Sequence, residues 1–219
     1  MAKFGLITEG ITDQIVIENI LCGFYKDYED LDEEIYALEP PRDETDMKQA
    51  YSEFGMGWTA IFNYLSETRF RDDVLNSNYV IIQIDTDIAE DFNCSINQNQ
   101  TIDKIIECTM QQIIEKIDGK EKFYEENKEK IIFAISVHSL ECWILPLFKD
   151  IKKEEILTCA DRLNSSMKKL SKKLQLDTTK NYKNYDKLSQ KFLKQKELIK
   201  IKSKNTSFEI FINSLPKNI

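Results

Sequence analysis

Five acidic side chains in this sequence have a spacing that could do chemistry: Glu9, Asp13, Asp85, Asp87 and Glu141. Glu9 follows the short apolar run Phe4 to Thr8, and Asp13 lies one helical turn further on. Asp85-Thr86-Asp87 closes the most apolar run of the chain, which begins at Tyr79. Glu141 comes just after Ile131 to Val137, three residues past His138, the only histidine. Carboxylates packed together repel one another and stay ionised only with a cation among them. Hard oxygen ligands with almost no histidine point to Mg²⁺ or Mn²⁺. In Asp85-x-Asp87 the alternation of an extended chain turns both carboxylates to one side, where a divalent ion can bridge them. Each acid also has a plainer role, because acids after strands often cap the next helix, and Asp13 can complement a helix N-terminus. Acids at three strand ends in one alternating pattern favour the metal reading.

Strands and helices in alternation must position these groups. Residues 4–8, 35–38, 79–84 and 131–137 read as strands. Ile11 to Phe24 carries apolar residues at helical spacing with Thr12 as its cap, and Trp58 to Leu65, Ile102 to Ile117 and 139–148 read as further helices, the last kinked at Pro146. Residues 42–57 and the polar stretch ending at Gln100 read as loops. The pattern predicts an α/β fold, a mainly parallel four-stranded sheet flanked by helices, with functional groups beyond the carboxyl ends of the strands. Past Asp150 the chain reads as helical, over 153–173, 182–198 and 206–215, with a break at 174–181. We therefore expect an α/β catalytic domain over 1–150 and a basic helical extension over 151–219.

Composition bounds the function. With 42% hydrophobic and 31% charged residues, 6 Gly and 4 Pro in 219 positions, the chain has globular material and no collagen-like or disordered bias. No apolar stretch approaches the ~20 residues of a membrane span, and Glu9 interrupts any leader-like core, so a cytoplasmic protein without membrane contact is expected. Five dispersed cysteines without a C-x-x-C pair argue against zinc or a disulfide framework. The charge is divided: residues 1–150 hold 13 basic and 31 acidic residues, a net of −18, and the remainder hold 17 and 7, a net of +10. This fits a cation-binding body beside a phosphate-holding tail, or simply solvated lysine-rich helix faces.

Strand-Glu9-Gly10-Ile11-Thr12-Asp13 followed by strand-Asp85-Thr86-Asp87 resembles the TOPRIM domain of topoisomerases, primases and the OLD and RloB-like bacterial defence nucleases. Ser136 to Trp143, with an acid before a Trp, and Asn205 to Phe211 are similar to segments of the same group. The resemblance implies a TOPRIM-like parallel sheet, Glu9 as general acid/base or metal ligand, and Asp85 and Asp87 as Mg²⁺ ligands. Asp13 matches the acid that OLD-type members place four residues past the glutamate. No G-x-x-x-x-G-K-[ST] occurs, so any ATPase is a separate chain.

The chemistry so implied is hydrolysis of DNA or RNA phosphodiesters in antiphage defence. Asp85, Asp87 and Glu9 would hold one ion, and Asp13 and Glu141 would be candidates for a second. Lys183 is the first choice for the cation over the scissile phosphate, with Lys180 next. His138 is a further candidate for phosphate, or for tuning Glu141 from the same helix face. Expected partners are nucleic acid and a separate ATPase or other defence subunit, with room for a homo-oligomer. The alternative is a non-catalytic binding or regulatory subunit, which the net negative charge and the lack of the second D-rich pair carried by some TOPRIM relatives support.

Overall fold

A computed structural model describes residues 2–43, 57–87, 101–119, 122–151, 158–174 and 181–219. Strand β1 (Ala2–Ile7) leads into helix α1 (Ile11–Phe24), a 3₁₀ turn (Leu31–Glu34) and β2 (Ile35–Glu39). Helices α2 (Gly57–Leu65) and α3 (Thr68–Asn76) precede the long central β3 (Ser77–Asp85). Then come α4 (Ile102–Ile117), the short α5 (Phe123–Asn127), β4 (Ile131–Ser136), and α6 (Glu141–Ile144), which tightens into a 3₁₀ turn at Leu145–Leu147. The C-terminal part supplies α7 (Cys159–Leu174), α8 (Tyr182–Ser189), a 3₁₀ turn (Gln190–Leu193), α9 (Gln195–Lys202) and α10 (Thr206–Ser214).

The fold is α/β. The four strands form one parallel sheet in the order β2-β1-β3-β4. Strand residues alternate between two cores. Phe4, Leu6, Ile81, Ile132 and Ala134 pack toward α1 and the C-terminal helices, whereas Ile7, Val80, Ile82, Ile84 and Phe133 pack toward α2, α3 and α4. Burial on both faces explains why β3 and β4 read as continuous apolar runs.

Helix α1 is buried almost all round, through Ile15, Val16, Ile17, Ile20 and Leu21. Such a helix needs cover on its outer side, and α8, α9 and the turn between them provide it. Buried Asn19 joins the layers: its Nδ2 donates to Ser189 Oγ at 2.8 Å and to Asp186 Oδ1 at 3.3 Å. The basic segment is thus a layer of the same core. Trp143 stacks on Phe211 at 5.5 Å and donates its indole N–H to Ser207 Oγ at 2.8 Å. Asn205 caps α10 by accepting the Phe208 N–H at 2.9 Å.

Several local expectations change. Thr12 is not the cap of α1, because Gly10 holds that position. Thr8 instead closes the turn, its hydroxyl donating to the Gly10 carbonyl at 2.8 Å. Helix α3 was not anticipated, since its buried face carries only Phe70 and Val74. The helix expected over 182–198 divides at Gln190–Leu193, where Phe192 turns into the core. Cysteine pairing is also corrected: Cys142 of α6 and Cys159 at the start of α7 form a disulfide, and Cys108 is disulfide-bonded too. Their separation of 17 residues concealed a contact that the packing of α7 on α6 creates. The interior of the expected break at 174–181 and most of the 42–57 loop lie outside the described residues. Among the described residues, no helix is long and apolar enough to cross a membrane.

Gly23 allows the turn Gln190–Leu193 to lie directly on α1, since a Cβ there would stand 1.9 Å from the Phe192 carbonyl oxygen. Gly23→Ala should destabilise the protein by ~1–3 kcal/mol through overpacking. This is read as a lower urea midpoint at constant m-value. An unchanged midpoint would mean that the C-terminal layer is not seated on α1.

Candidate active site

In the order β2-β1-β3-β4 the direction in which strands are added reverses between β1 and β3. The crevice beyond their carboxyl ends is where parallel sheets bind ligands. Glu9 lies in the loop leaving β1, and Asp85 is the last residue of β3. The Asp85 backbone N–H donates to Glu9 Oε1 at 2.7 Å. The Asp85 carbonyl accepts the indole N–H of buried Trp58 at 2.8 Å. Gly57, before Trp58, has φ +59, and a Cβ there would stand 3.6 Å from Glu9 Oε2. Glycine therefore suits the left-handed turn, while a Cβ would meet the carboxylate only at ordinary contact distance.

Alternation along β3 sends Gln83 and Asp85 to the α1 side. Asp85 pairs in register with Ser136 of β4. Asp85 Oδ1 accepts from Gln83 Nε2 and from Ser136 Oγ, both at 2.9 Å. Asp85 Oδ2 takes no donor from the described residues. Gln83 is fully buried, and its Oε1 has no hydrogen-bond partner among the described residues.

Asp13, in the first turn of α1, and Glu141, opening α6, complete the cluster. Asp13 and Asp85 are each 8% exposed and Glu141 is 3% exposed, while Glu9 is half-buried. Burial raises the Asp85 carboxyl well above the usual carboxylate range, and the charges of Asp13, Glu9 and Glu141 add to this against the Ser136 hydroxyl. Tyr185 of α8 donates its phenolic proton to Glu141 Oε1 at 2.5 Å. Burial first, then the charge and hydrogen bond of Glu141, raise the Tyr185 hydroxyl far above its ordinary value, so it stays a donor.

Four of the five expected acids thus gather on three strand ends, while the fifth stands apart. Asp87 lies in the turn beyond β3 and is exposed, so the alternation that would pair it with buried Asp85 has already ended. Its charge falls on His138 instead, opposing the burial that lowers that imidazole's pKa. His138 does not share a helix face with Glu141. It precedes α6 with φ +69, and its backbone N–H donates to Thr86 Oγ1 at 2.8 Å. Lys183 is exposed on α8, two residues before Tyr185. That is ~200° around the helix, so it faces away from the acids. Lys180 lies outside the described residues.

Gln83 and Ser136 were missed as site residues, and so was the role of Tyr185 as the donor to Glu141. Gln83 and Ser136 had a signal, Gln83 as a polar side chain following the apolar run Val80 to Ile82 and Ser136 as the polar end of an otherwise apolar β4. Tyr185 had none, because its role depends on the packing of α8.

The donor set is chemically suited to a hard divalent cation: carboxylate oxygens, one of them Asp85 Oδ2, with no sulfur and no imidazole. As they stand, no three or more His, Cys, Asp or Glu among the described residues have the geometry to hold a metal ion. Comparison with protein-family models, with curated proteins and with solved structures found no match.

A raised Asp85 pKa means that the folded protein binds a proton more tightly than the unfolded chain does. In metal-free buffer this group's contribution to stability should fall as pH rises from its unfolded value, ~4, through the raised folded value. Asp85→Asn keeps an acceptor for Gln83 and Ser136 and removes a charge. Thermal melts from pH 4 to 8 should show a higher melting temperature than wild type at neutral pH and a flatter profile. A variant less stable than wild type at pH 7 would contradict the repulsion.

Proposed function

We propose that the protein is a divalent-metal-dependent phosphodiester hydrolase, a nuclease acting on DNA or RNA. One observation carries the reading: Glu9 and Asp85 are hydrogen-bonded across the crevice between β1 and β3, and the charges of Asp13 and Glu141 converge on Asp85. The similarity of Glu9-Gly10-Ile11-Thr12-Asp13 and Asp85-Thr86-Asp87 to TOPRIM nucleases of antiphage defence supports the same chemistry.

In this reading Asp85, through Oδ2, and Glu9, Asp13 and Glu141 hold Mg²⁺ or Mn²⁺. The bound cation would supply charge stabilisation to the phosphoryl oxygens. Ser136 and Gln83 fix the direction of the Asp85 carboxylate. Tyr185 does the same for Glu141 and seals that side from water. Glu9, the least buried of the four, takes the proton of the attacking water. A separate ATPase or other defence subunit would deliver the substrate.

A second reading, a binding or regulatory subunit without turnover, is favoured by two observations. Lys183 faces away from the acids, and no three of the described acids are gathered as an ion requires.

The test is incubation of the full chain with single- and double-stranded DNA and RNA in Mg²⁺, Mn²⁺ or EDTA. Cleavage should require the metal. Asp85→Ala should lower it by more than the ~10–100-fold that loss of an outer-shell partner costs. Cleavage that survives this substitution would reject the site, and metal binding without cleavage of any substrate would favour the second reading. Independently, Mn²⁺ at ~100 times its Kd should stabilise the wild type by ~2.7 kcal/mol. Asp85→Asn should abolish that gain in a thermal-shift titration.

A further inference from the structure

Arg42 lies just past the carboxyl end of β2, on the same rim of the sheet as the acid cluster. Its Nε donates to Gln14 Oε1 at 3.1 Å and its Nη2 to Glu18 Oε2 at 2.5 Å. Gln14 is fully buried and is itself locked by donating to the Pro40 carbonyl at 2.5 Å. The guanidinium is therefore held by its Nε–Nη2 edge from two positions, one turn apart, on α1. Arg42 Nη1 has no acceptor among the described residues. The remaining Nη1–Nη2 edge is a flat fork of N–H donors, the geometry that suits phosphate oxygens.

The guanidinium carbon also stands 5.8 Å from the ring centroid of Tyr182, at the start of α8. Tyr182 is 37% exposed, an unusual position for a large aromatic side chain in this protein. With Arg42 against its ring, the exposed part of Tyr182 is open to another flat group. Arg42 is bonded to the helix that carries Asp13, and Tyr182 lies on the helix that carries Tyr185. Gln14 follows Asp13 on α1, and Tyr182 precedes Tyr185 by three residues on α8, ~5 Å along the helix axis.

We infer that Arg42 and Tyr182 form a binding site for one nucleotide of a single-stranded nucleic acid, Arg42 taking the phosphate and Tyr182 stacking the base. The inference deepens the hydrolase reading and rests on it for the nature of the polymer. A base stacks on a protein ring only when it is unpaired, so the site selects single strands over duplexes. Stacking is indifferent to base identity, so it confers no sequence preference.

The test measures binding without turnover. Fluorescence anisotropy of the full chain is followed with labelled oligothymidylate, oligouridylate and a DNA duplex, in EDTA and again in Ca²⁺. Arg42→Ala should weaken single-strand binding about tenfold and reduce the slope of log K against log salt by ~0.7, the loss of one phosphate contact. Tyr182→Leu should weaken single-strand binding by roughly 5- to 100-fold and leave duplex binding unchanged, whereas Tyr182→Phe should bind as wild type does. The two oligonucleotides report whether the sugar matters. Should Arg42→Ala melt abnormally, Arg42→Lys keeps the charge, loses the fork and decides the point. Wild-type affinity in the Arg42 variants, equal loss on duplex and single strand in Tyr182→Leu, or no binding by the wild type in either buffer would overturn the site. Arg42-dependent binding with no cleavage under any metal would reject the hydrolase alone. Cleavage with Arg42-independent binding would reject this site alone.

Discussion

Four carboxylates brought to one end of a sheet repel each other, and the rest of the structure is arranged around holding them there. Burial makes the repulsion stronger, because the charges lose the solvent that would screen them. The fold answers with fixed donors. A backbone N–H secures Glu9, a serine and a glutamine secure Asp85, and a tyrosine secures Glu141. Each donor belongs to a rigid strand or a packed helix. Glu9, Asp85 and Glu141 therefore cannot relieve their repulsion by swinging into solvent, and this fixed geometry is what the proposed cation site would need.

This constraint explains why a short parallel sheet carries so heavy a helical layer on one face. Helix α1 delivers Asp13 from its first turn and is buried along most of its length. It can be held there only if something covers its outer side, and α8, α9 and the turn between them do so. The division of charge along the chain has a structural meaning here. The basic segment lies over the acidic body, and one of its residues, Tyr185, reaches into the acid cluster. Among the described residues of this segment, Lys183, Lys187, Lys194, Lys196 and Lys200 are exposed.

The differences between expectation and structure have local causes. Asp85 and Asp87 look equivalent in a D-x-D spacing, but β3 ends at Asp85, and the turn that follows puts Asp87 in solvent. Lys183 has the charge for a phosphate contact, yet the helical period sends it away from Tyr185. The Cys142–Cys159 pair was missed because the approach of α7 to α6 is a matter of packing. In the opposite direction, Gln83 after the apolar run Val80 to Ile82 and Ser136 at the polar end of β4 are legible markers of the site.

From the sequence alone, periodicity was enough to determine the strand–helix alternation, the parallel sheet, and the acids Glu9 and Asp85 at strand ends. These are properties of single elements and their order along the chain, governed by local burial patterns. Only the tertiary structure decided the strand order that puts β1 beside β3, the seating of α8 on α1, and therefore the company that each carboxylate keeps. Those outcomes depend on contacts between residues as far apart as Asn19 and Ser189, or Glu141 and Tyr185. No local pattern encodes such contacts, because they arise from filling one shared core.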